Sequence, residues 1–253
     1  MEKLTILLSN DDGIEAEGLN ILGTALAALG DVYVAAPTEE RSASSHAITM
    51  RRPLQAIEHQ LSFAKAAWAI NGLPVDCVKL AMDILLPKRP DIIFSGINNG
   101  ANMGNDVLYS GTVGAAMEGY LYGLPAIAVS VTERKGKFDT AAEFAVNFAR
   151  CWQQKSFSPR ALFNINVPGL PEDEIKGWRY TSMGWRFYNN VFETIHEEGG
   201  QTYYWMHGDR FDGETESGQT DVEVALQGYI SVTPLQYNLT NYQLLDDLLK
   251  KDK

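Results

Sequence analysis

The stretch Leu4-Thr5-Ile6-Leu7-Leu8-Ser9-Asn10-Asp11-Asp12-Gly13 decides how this chain is read, because a short apolar run breaks off into an amide, two adjacent carboxylates and a glycine. The run has the length and near-continuous apolarity of a strand buried on both faces, as in the centre of a parallel sheet. Ligands of such sheets bind outside the carboxyl ends of the strands, which is where Asp11 and Asp12 fall. Side by side, two carboxylates repel, so such a site leaves one protonated or recruits a cation. Asp-Asp-Gly also suits a plain turn that caps the following helix, and the rest of the chain decides between the two.

Outward from this stretch, strand-like and helix-like segments alternate. Leu19, Leu22, Leu26 and Leu29 recur at helical spacing and Gly30 closes that segment. Asp31 to Pro37 reads as a second strand. Ile48 to Ile70 has a weak pattern, with Trp68-Ala69-Ile70 a short strand. Pro74 opens a helix whose apolar face is Cys77, Leu80, Ala81, Ile84 and Leu85. Pro90 to Gly96 and Pro125 to Val131 are further buried strands, and Phe138, Ala141, Ala142, Ala145, Phe148, Ala149 and Trp152 form a helical stripe. Leu162 to Pro168 ends the alternation. Strand after helix after strand predicts an α/β fold with a Rossmann-like, doubly wound, mostly parallel sheet over residues 1–170.

Beyond Pro171 the character changes. Aromatic segments around Trp178-Tyr180, Trp185-Tyr188 and Tyr203-Met206, separated by polar turns, read as hairpins. Asp212 to Asp221 reads as an acidic, solvated loop, and Gly228 to Pro234 as a strand. Thr240 and Gln243 form a capping box for a last helix with Leu244, Leu245, Leu248 and Leu249. Residues 171–253 are thus expected to be a hairpin and helix extension of one domain, suited to subunit contacts.

Three loops follow buried strands and carry chemistry. Thr38 to His46 is polar and serine-rich, and Ser42 offers a hydroxyl there. Ile97 to Asp106 is dominated by Gly and Asn, and Asn98 offers a neutral amide oxygen. Ser110-Gly111-Thr112 opens a small-residue helix, where an N-cap and an anion site can coexist.

A formal net charge of -11 argues against nucleic-acid polymers and anionic membrane surfaces as partners. Cys77 and Cys151 lie in apolar helical patterns and read as buried free thiols of a cytoplasmic protein. No apolar run of membrane-spanning length occurs.

Together, Asn10-Asp11-Asp12-Gly13, Glu40-Arg41-Ser42-Ala43, Ser95-Gly96-Ile97-Asn98, Asn102-Met103-Gly104 and Ser110-Gly111-Thr112-Val113 resemble the survival protein E (SurE) family. Gly72 to Lys79, Asn164-Ile165-Asn166-Val167-Pro168 and Ser231-Val232-Thr233-Pro234-Leu235 extend the resemblance almost end to end. It implies a metal-dependent 5'-nucleotidase that hydrolyses nucleoside 5'-monophosphates, with 3'-nucleotides and short polyphosphate as further substrates, and a homodimer or homotetramer built through the extension. It places one divalent cation per subunit on Asp11, Asp12, Ser42 and Asn98. Where several members carry His or Asp shortly after Thr-Pro-Leu, this chain has Gln236-Tyr237-Asn238.

The residues agree with that mapping on chemical grounds. Two carboxylates, a hydroxyl and an amide are an all-oxygen set that suits Mg²⁺, Mn²⁺ or Ca²⁺. Two negative charges balance the cation, while a third carboxylate would repel a phosphate dianion. Asp11, Asp12 and Asn98 are therefore the expected catalytic residues, with Asn10, Asn98, Ser110, Gly111 and Thr112 toward the phosphate. A receiver-like, Mg²⁺-binding module is the alternative, but the comparable later strand ends in Phe94-Ser95-Gly96 without a phosphoacceptor Asp. A dinucleotide-binding oxidoreductase would need Gly-x-Gly-x-x-Gly after the first strand, which is absent.

Overall fold

Successive side chains of Leu4–Ser9 (β1) enter opposite halves of the interior, which explains the continuous apolar run. Ile6 and Leu8 pack into one core cluster and Leu7 into the other, and all three are fully buried. Helices therefore cover both faces of the strand. In the computed structural model, which describes residues 3–134, 136–154, 160–196, 201–212 and 218–251, the helices Glu17–Leu26 (α1) and Phe138–Gln154 (α4) supply the first cluster. Pro74–Leu80 (α2) and Gly111–Leu121 (α3) supply the second.

The remaining strands of this layer are Gly30–Pro37 (β2), Ala56–His59 (β3), Ala64–Ile70 (β4), Ile92–Asn99 (β5), Ala126–Val131 (β6) and Leu162–Val167 (β7). Trp178–Tyr180 (β8) and Ile230–Leu235 (β11) complete a nine-stranded sheet in the order β3-β4-β2-β1-β5-β6-β7-β11-β8. The β2, β1, β5, β6 and β7 core is parallel, with Leu8 opposite both Val34 and Phe94. The chain winds from β1 to β2 in one direction and from β5 through β6 to β7 in the other. The strand order thus reverses between β1 and β5, and the crevice at their carboxyl ends is the topological switch point where such sheets bind ligands.

Arg186–His196 (β9) and Thr202–Asp212 (β10) form a separate antiparallel hairpin, followed by the short helix Asp221–Leu226 (α5) and the last helix Tyr242–Lys251 (α6). The expected doubly wound sheet with a hairpin and helix after it is therefore present.

Several local expectations are corrected. The weak stretch before Ile70 holds β3 antiparallel to β4, an edge pair whose half-exposed residues blur any hydrophobic period. Trp178-Tyr180 is no hairpin arm: it pairs in parallel with β11 and so extends the main sheet. Cys77 is buried as expected but Cys151 is exposed, on the outer side of α4. The last helix is capped by Asn241, whose Oδ1 accepts the Leu244 N–H at 2.9 Å, and not by Thr240. Of the acidic stretch from Asp212 to Asp221, residues 213–217 lie outside the described residues, as does the side chain of Trp152. Asp221, at its end, is not solvated but fully buried.

Candidate active site

Asp11 and Asp12 leave the carboxyl end of β1 on a turn closed by Asn10, whose Nδ2 donates to Gly13 O at 2.8 Å and whose Oδ1 accepts Gly13 N–H at 3.2 Å. Asn10 is fully buried and shapes this turn. Across the switch point, β5 shifts register against β6 between Ser95 and Asn98, which turns the end of the strand toward the same crevice. The Asn98 Nδ2 donates to Gly100 O at 2.7 Å, leaving its Oδ1 as the uncommitted amide oxygen.

The Ser42 loop is tied to both sides. Arg41 N–H donates to Asp11 O at 2.7 Å, and Ser45 donates through N–H to Tyr109 O at 2.9 Å and through Oγ to Leu108 O at 2.6 Å. His46 Nε2 lies 3.0 Å from Glu118 Oε2 on α3, and Lys79 Nζ lies 3.0 Å from the other oxygen of that carboxylate. These contacts hold Ala43 and Ser45 in the left-handed region, each at φ 55, a conformation costing a residue with a side chain roughly 1 kcal/mol or more. Strain of that kind persists where the surroundings pin a loop in place.

Asp11, Asp12, Ser42, Asn98 and Ser110 all line one cleft of about 1010 Å³. The sequence-predicted set thus converges, except that Asn10, Gly111 and Thr112 stand behind the cleft wall. Ser110 caps α3, its Oγ accepting the Val113 N–H at 3.1 Å. Thr112, fully buried, donates its hydroxyl to Asp11 Oδ1. At Gly111 a Cβ would sit 2.9 Å from Asp11 Oδ2 and 2.4 Å from Ser44 Oγ, so glycine lets the helix start come against the carboxylate.

Burial pushes the Asp11 carboxyl up to about 6; the Thr112 hydroxyl opposes this and the neighbouring Asp12 charge adds to it. Asp12 is also raised, by burial and by the charge of Glu40, against the pull of the Asn99 N–H on its Oδ2. Two raised, adjacent carboxylates at one cleft are the electrostatic conflict that a cation relieves. Among the described residues no group of three or more His, Cys, Asp or Glu side chains is arranged to hold a metal, and the candidate set beside the Asp pair is made of neutral oxygens. Asn98 Oδ1 is available for this. So is Ser42, whose hydroxyl spends its proton on Glu40 and keeps its lone pairs.

Glu40 is the third carboxylate that the charge argument counted against, and it lines the same cleft. Arg134, exposed on the loop after β6, lines it too and brings a positive charge to the same cleft.

Sequence reasoning missed the support of the asparagine-rich loop. Asn102 N–H donates to Asn166 Oδ1 at 2.9 Å, its Nδ2 donates to Ser130 Oγ at 2.9 Å, and its carbonyl accepts from Asn164 Nδ2 at 2.7 Å and Asn166 Nδ2 at 3.0 Å. Asn164 and Asn166, both fully buried, alternate with apolar residues along β7, and that alternation is the signal that marks them. The far wall of the cleft, formed by Trp185, Arg186, Phe187, Tyr188 and Met206, was read only as hairpin.

A doubly wound α/β sheet whose switch point carries paired carboxylates in an open cleft places the chain in the class of α/β proteins that bind ligands at a sheet's carboxyl edge. The model of the survival protein SurE family matches residues 6–190. The chain belongs to that family. It is 45% identical over 249 residues to the 5'-nucleotidase SurE of Heliobacterium modesticaldum, covering 97% of this chain and 90% of that protein. With the 5'-nucleotidase SurE of Gloeobacter violaceus it shares 48% identity over 241 residues, covering 94% and 91% of the two. The crystal structure of SurE protein from Aquifex aeolicus superposes with a TM-score of 0.83 at 36% identity, over 98% of this chain and 100% of that one.

Proposed function

We propose that this protein is a divalent-metal-dependent 5'-nucleotidase, hydrolysing nucleoside 5'-monophosphates to nucleoside and phosphate. The observation that carries this reading is the buried Asp11 carboxylate beside Asp12, both facing a cleft large enough for a nucleotide, in a chain similar over nearly its whole length to proteins named 5'-nucleotidase. Asp11, Asp12, Ser42 and Asn98 would hold one cation per subunit, Mg²⁺, Mn²⁺ or Ca²⁺. Such an ion supplies a lowered pKa for water and charge screening at the phosphoryl oxygens.

The chain's own residues organise the rest. Thr112 fixes one oxygen of Asp11 and the Asn99 N–H fixes one of Asp12, so both carboxylates present a set orientation to the cleft. With both carboxylates assigned as ligands to the cation, their electron density would be drawn toward it and neither would serve as the nucleophile, so water attacks phosphorus in a single displacement. Ser110 and the Asn98 amide meet the phosphate directly. Asn10, Gly111 and Thr112 act from behind, by shaping the turn and seating Asp11. Short polyphosphate and 3'-nucleotides present the same terminal phosphoryl group to this edge and belong to the same substrate class.

The extension exposes apolar side chains that favour burial between subunits, among them Phe192 and Tyr204 on the hairpin and Leu244 and Leu248 on α6. That supports a homodimer or homotetramer. Among the described residues no helix is long and apolar enough to cross a membrane. Together with the charge of -11 and the two free thiols, this supports a cytoplasmic protein that binds neither membranes nor nucleic-acid polymers.

The test is a matrix of metals against substrates on purified protein, with nucleoside 5'- and 3'-monophosphates, diphosphates and polyphosphate. Activity that survives excess chelator, or a metal-loaded protein inert toward every nucleotide, would overturn the reading. Single turnover in ¹⁸O-water checks the nucleophile: the label is expected in phosphate, and label in the Asp11 or Asp12 side chain would show carboxylate attack.

A further inference from the structure

Asp221 is fully buried, yet its carboxylate touches none of the residues at the phosphoryl end of the cleft. Its Oδ2 accepts the Gly104 N–H at 2.8 Å, and its Oδ1 accepts the Gly184 N–H at 2.8 Å and the Val222 N–H at 2.9 Å. Its own N–H donates to Ser182 O at 2.8 Å. One side chain thus joins two segments that lie 117 and 37 residues before it. The junction is tight: Gly104 has φ +55, and a Cβ there would sit 2.8 Å from Gly184 O.

What the two segments carry gives the junction its meaning. Gly104 ends the loop after β5, whose Asn98 lies at the phosphoryl end, and Asn102 on that loop is locked into the sheet by Asn164, Asn166 and Ser130. Gly184 begins the wall of Trp185, Phe187 and Tyr188 on the other side of the cleft. Past Gly104, Asn105 Oδ1 accepts the Arg186 N–H at 2.6 Å, and the Asp106 carboxylate accepts from the buried Arg186 guanidinium at 3.1 Å and from the Tyr188 hydroxyl. These contacts line up the wall side chain by side chain, and Asp221 bridges the backbone N–H groups of Gly104 and Gly184 immediately before them.

We infer that Asp221 is a positioning residue for substrate selection: it holds the Trp185–Tyr188 wall across from Asp11 and Asp12, so that the nucleoside of the substrate rests on aromatic faces while its phosphate lies at the carboxylates. The inference rests on the nucleotidase reading and names the part of that site which recognises the nucleoside. Aromatic faces accept any base by stacking, so the wall selects nucleotides over other phosphate esters without selecting one base. A carboxylate suits the junction because it offers acceptors on both oxygens to N–H groups from different directions, which an amide cannot do.

The experiment compares kcat/KM for a nucleoside 5'-monophosphate with kcat/KM for an aliphatic phosphate monoester such as glycerol phosphate, in wild type and Asp221→Asn. The ratio of the two is expected to fall about tenfold in the variant, the size of one lost base stack. A purely structural defect lowers both substrates together and leaves the ratio where it was, which would overturn the inference. Trp185→Ala, at an exposed position, keeps the test decisive if Asp221→Asn does not fold: its ratio is expected to fall by a similar factor, and an unchanged ratio would remove the wall from substrate selection. Where both fold, the double variant should lose little beyond the larger single loss, because Asp221 acts through the wall. Wild-type protein that turns over the aliphatic ester but no nucleotide would instead sink the nucleotidase reading.

Discussion

The two sides of the cleft are built in different ways. Its floor is the carboxyl edge of β1 and β5, where Asp11 is 5% exposed and is held by Thr112 from a helix packed on the sheet. Its far wall belongs to the extension, where Trp185 and Phe187 are 60% and 56% exposed and order comes from polar contacts at Asp106, Asn105 and Asp221. The floor spends burial on raising two carboxylates into a state that calls for a cation. The wall keeps apolar faces open and uses hydrogen bonds to fix where they stand. The proposed chemistry is thus assigned to the buried side of the cleft, and the inferred selection to the side whose aromatic faces are exposed.

That division predicts the deepest losses at the floor. Removing the cation with excess chelator is expected to take turnover to background and leave the circular dichroism spectrum native, with Mg²⁺ or Mn²⁺ restoring activity; steady-state assays after dialysis check this. Asp11→Asn should lower kcat by about 10³-fold or more while the protein stays folded, since a charge is lost and shape is kept. The same variant tests the electrostatics of the floor. The native pKa of Asp11, about 6, lies above the ordinary 3.8, so between these values the native state holds a proton that the unfolded chain has released. The stability this group contributes is present below the lower value and lost as pH rises through the upper one. In metal-free protein, Asp11→Asn should therefore be the more stable form at pH 7, by up to about 3 kcal/mol, with the gap closing at pH 4. Urea melts of both proteins across that range check it, and a gap that widens toward acid would reverse the sign.

Smaller effects should separate the layers further. Thr112→Val removes the hydroxyl that orients Asp11 and is expected to weaken metal-dependent turnover about 10- to 100-fold, seen as a higher metal concentration for half-activity. Tyr188→Phe removes its hydroxyl donor to Asp106 on the wall, and the Arg186 pair remains. Its nucleotide KM should change by no more than about threefold, consistent with one hydrogen bond's net worth, and kcat should hold. A drop in kcat at Tyr188 as deep as that at Thr112 would erase the distinction between floor and wall.

The floor was legible in the sequence because its signals are local. A buried strand followed by Asn10-Asp11-Asp12-Gly13, and Ser110 at a helix start, place their side chains through the geometry of their own segments. Ser42 and Asn98 were legible as loop residues after buried strands, at the edge where ligands bind. The wall was harder to read. Asp221 stands in an acidic stretch that looks solvated, although Thr220 and Glu223 spell a capping box, and the structure has Glu223 Oε2 accepting the Thr220 N–H at 3.0 Å. Even that signal marks a helix start and says nothing of Gly104 or Gly184.

From the sequence alone, then, come the alternation of strands and helices, the double-sided burial of β1 and the acidic pair at its end, since each follows from hydrophobic period and from residues adjacent along the chain. Only the tertiary structure decided that Trp178-Tyr180 joins the main sheet and that Thr112 turns its hydroxyl to Asp11. It alone brought Asp221 to the backbone of two segments far from it in the chain. Those contacts depend on where distant segments meet. Hydrophobic period decides which face of a segment is buried, and the partner across that face is chosen only when the whole sheet and its helices pack together.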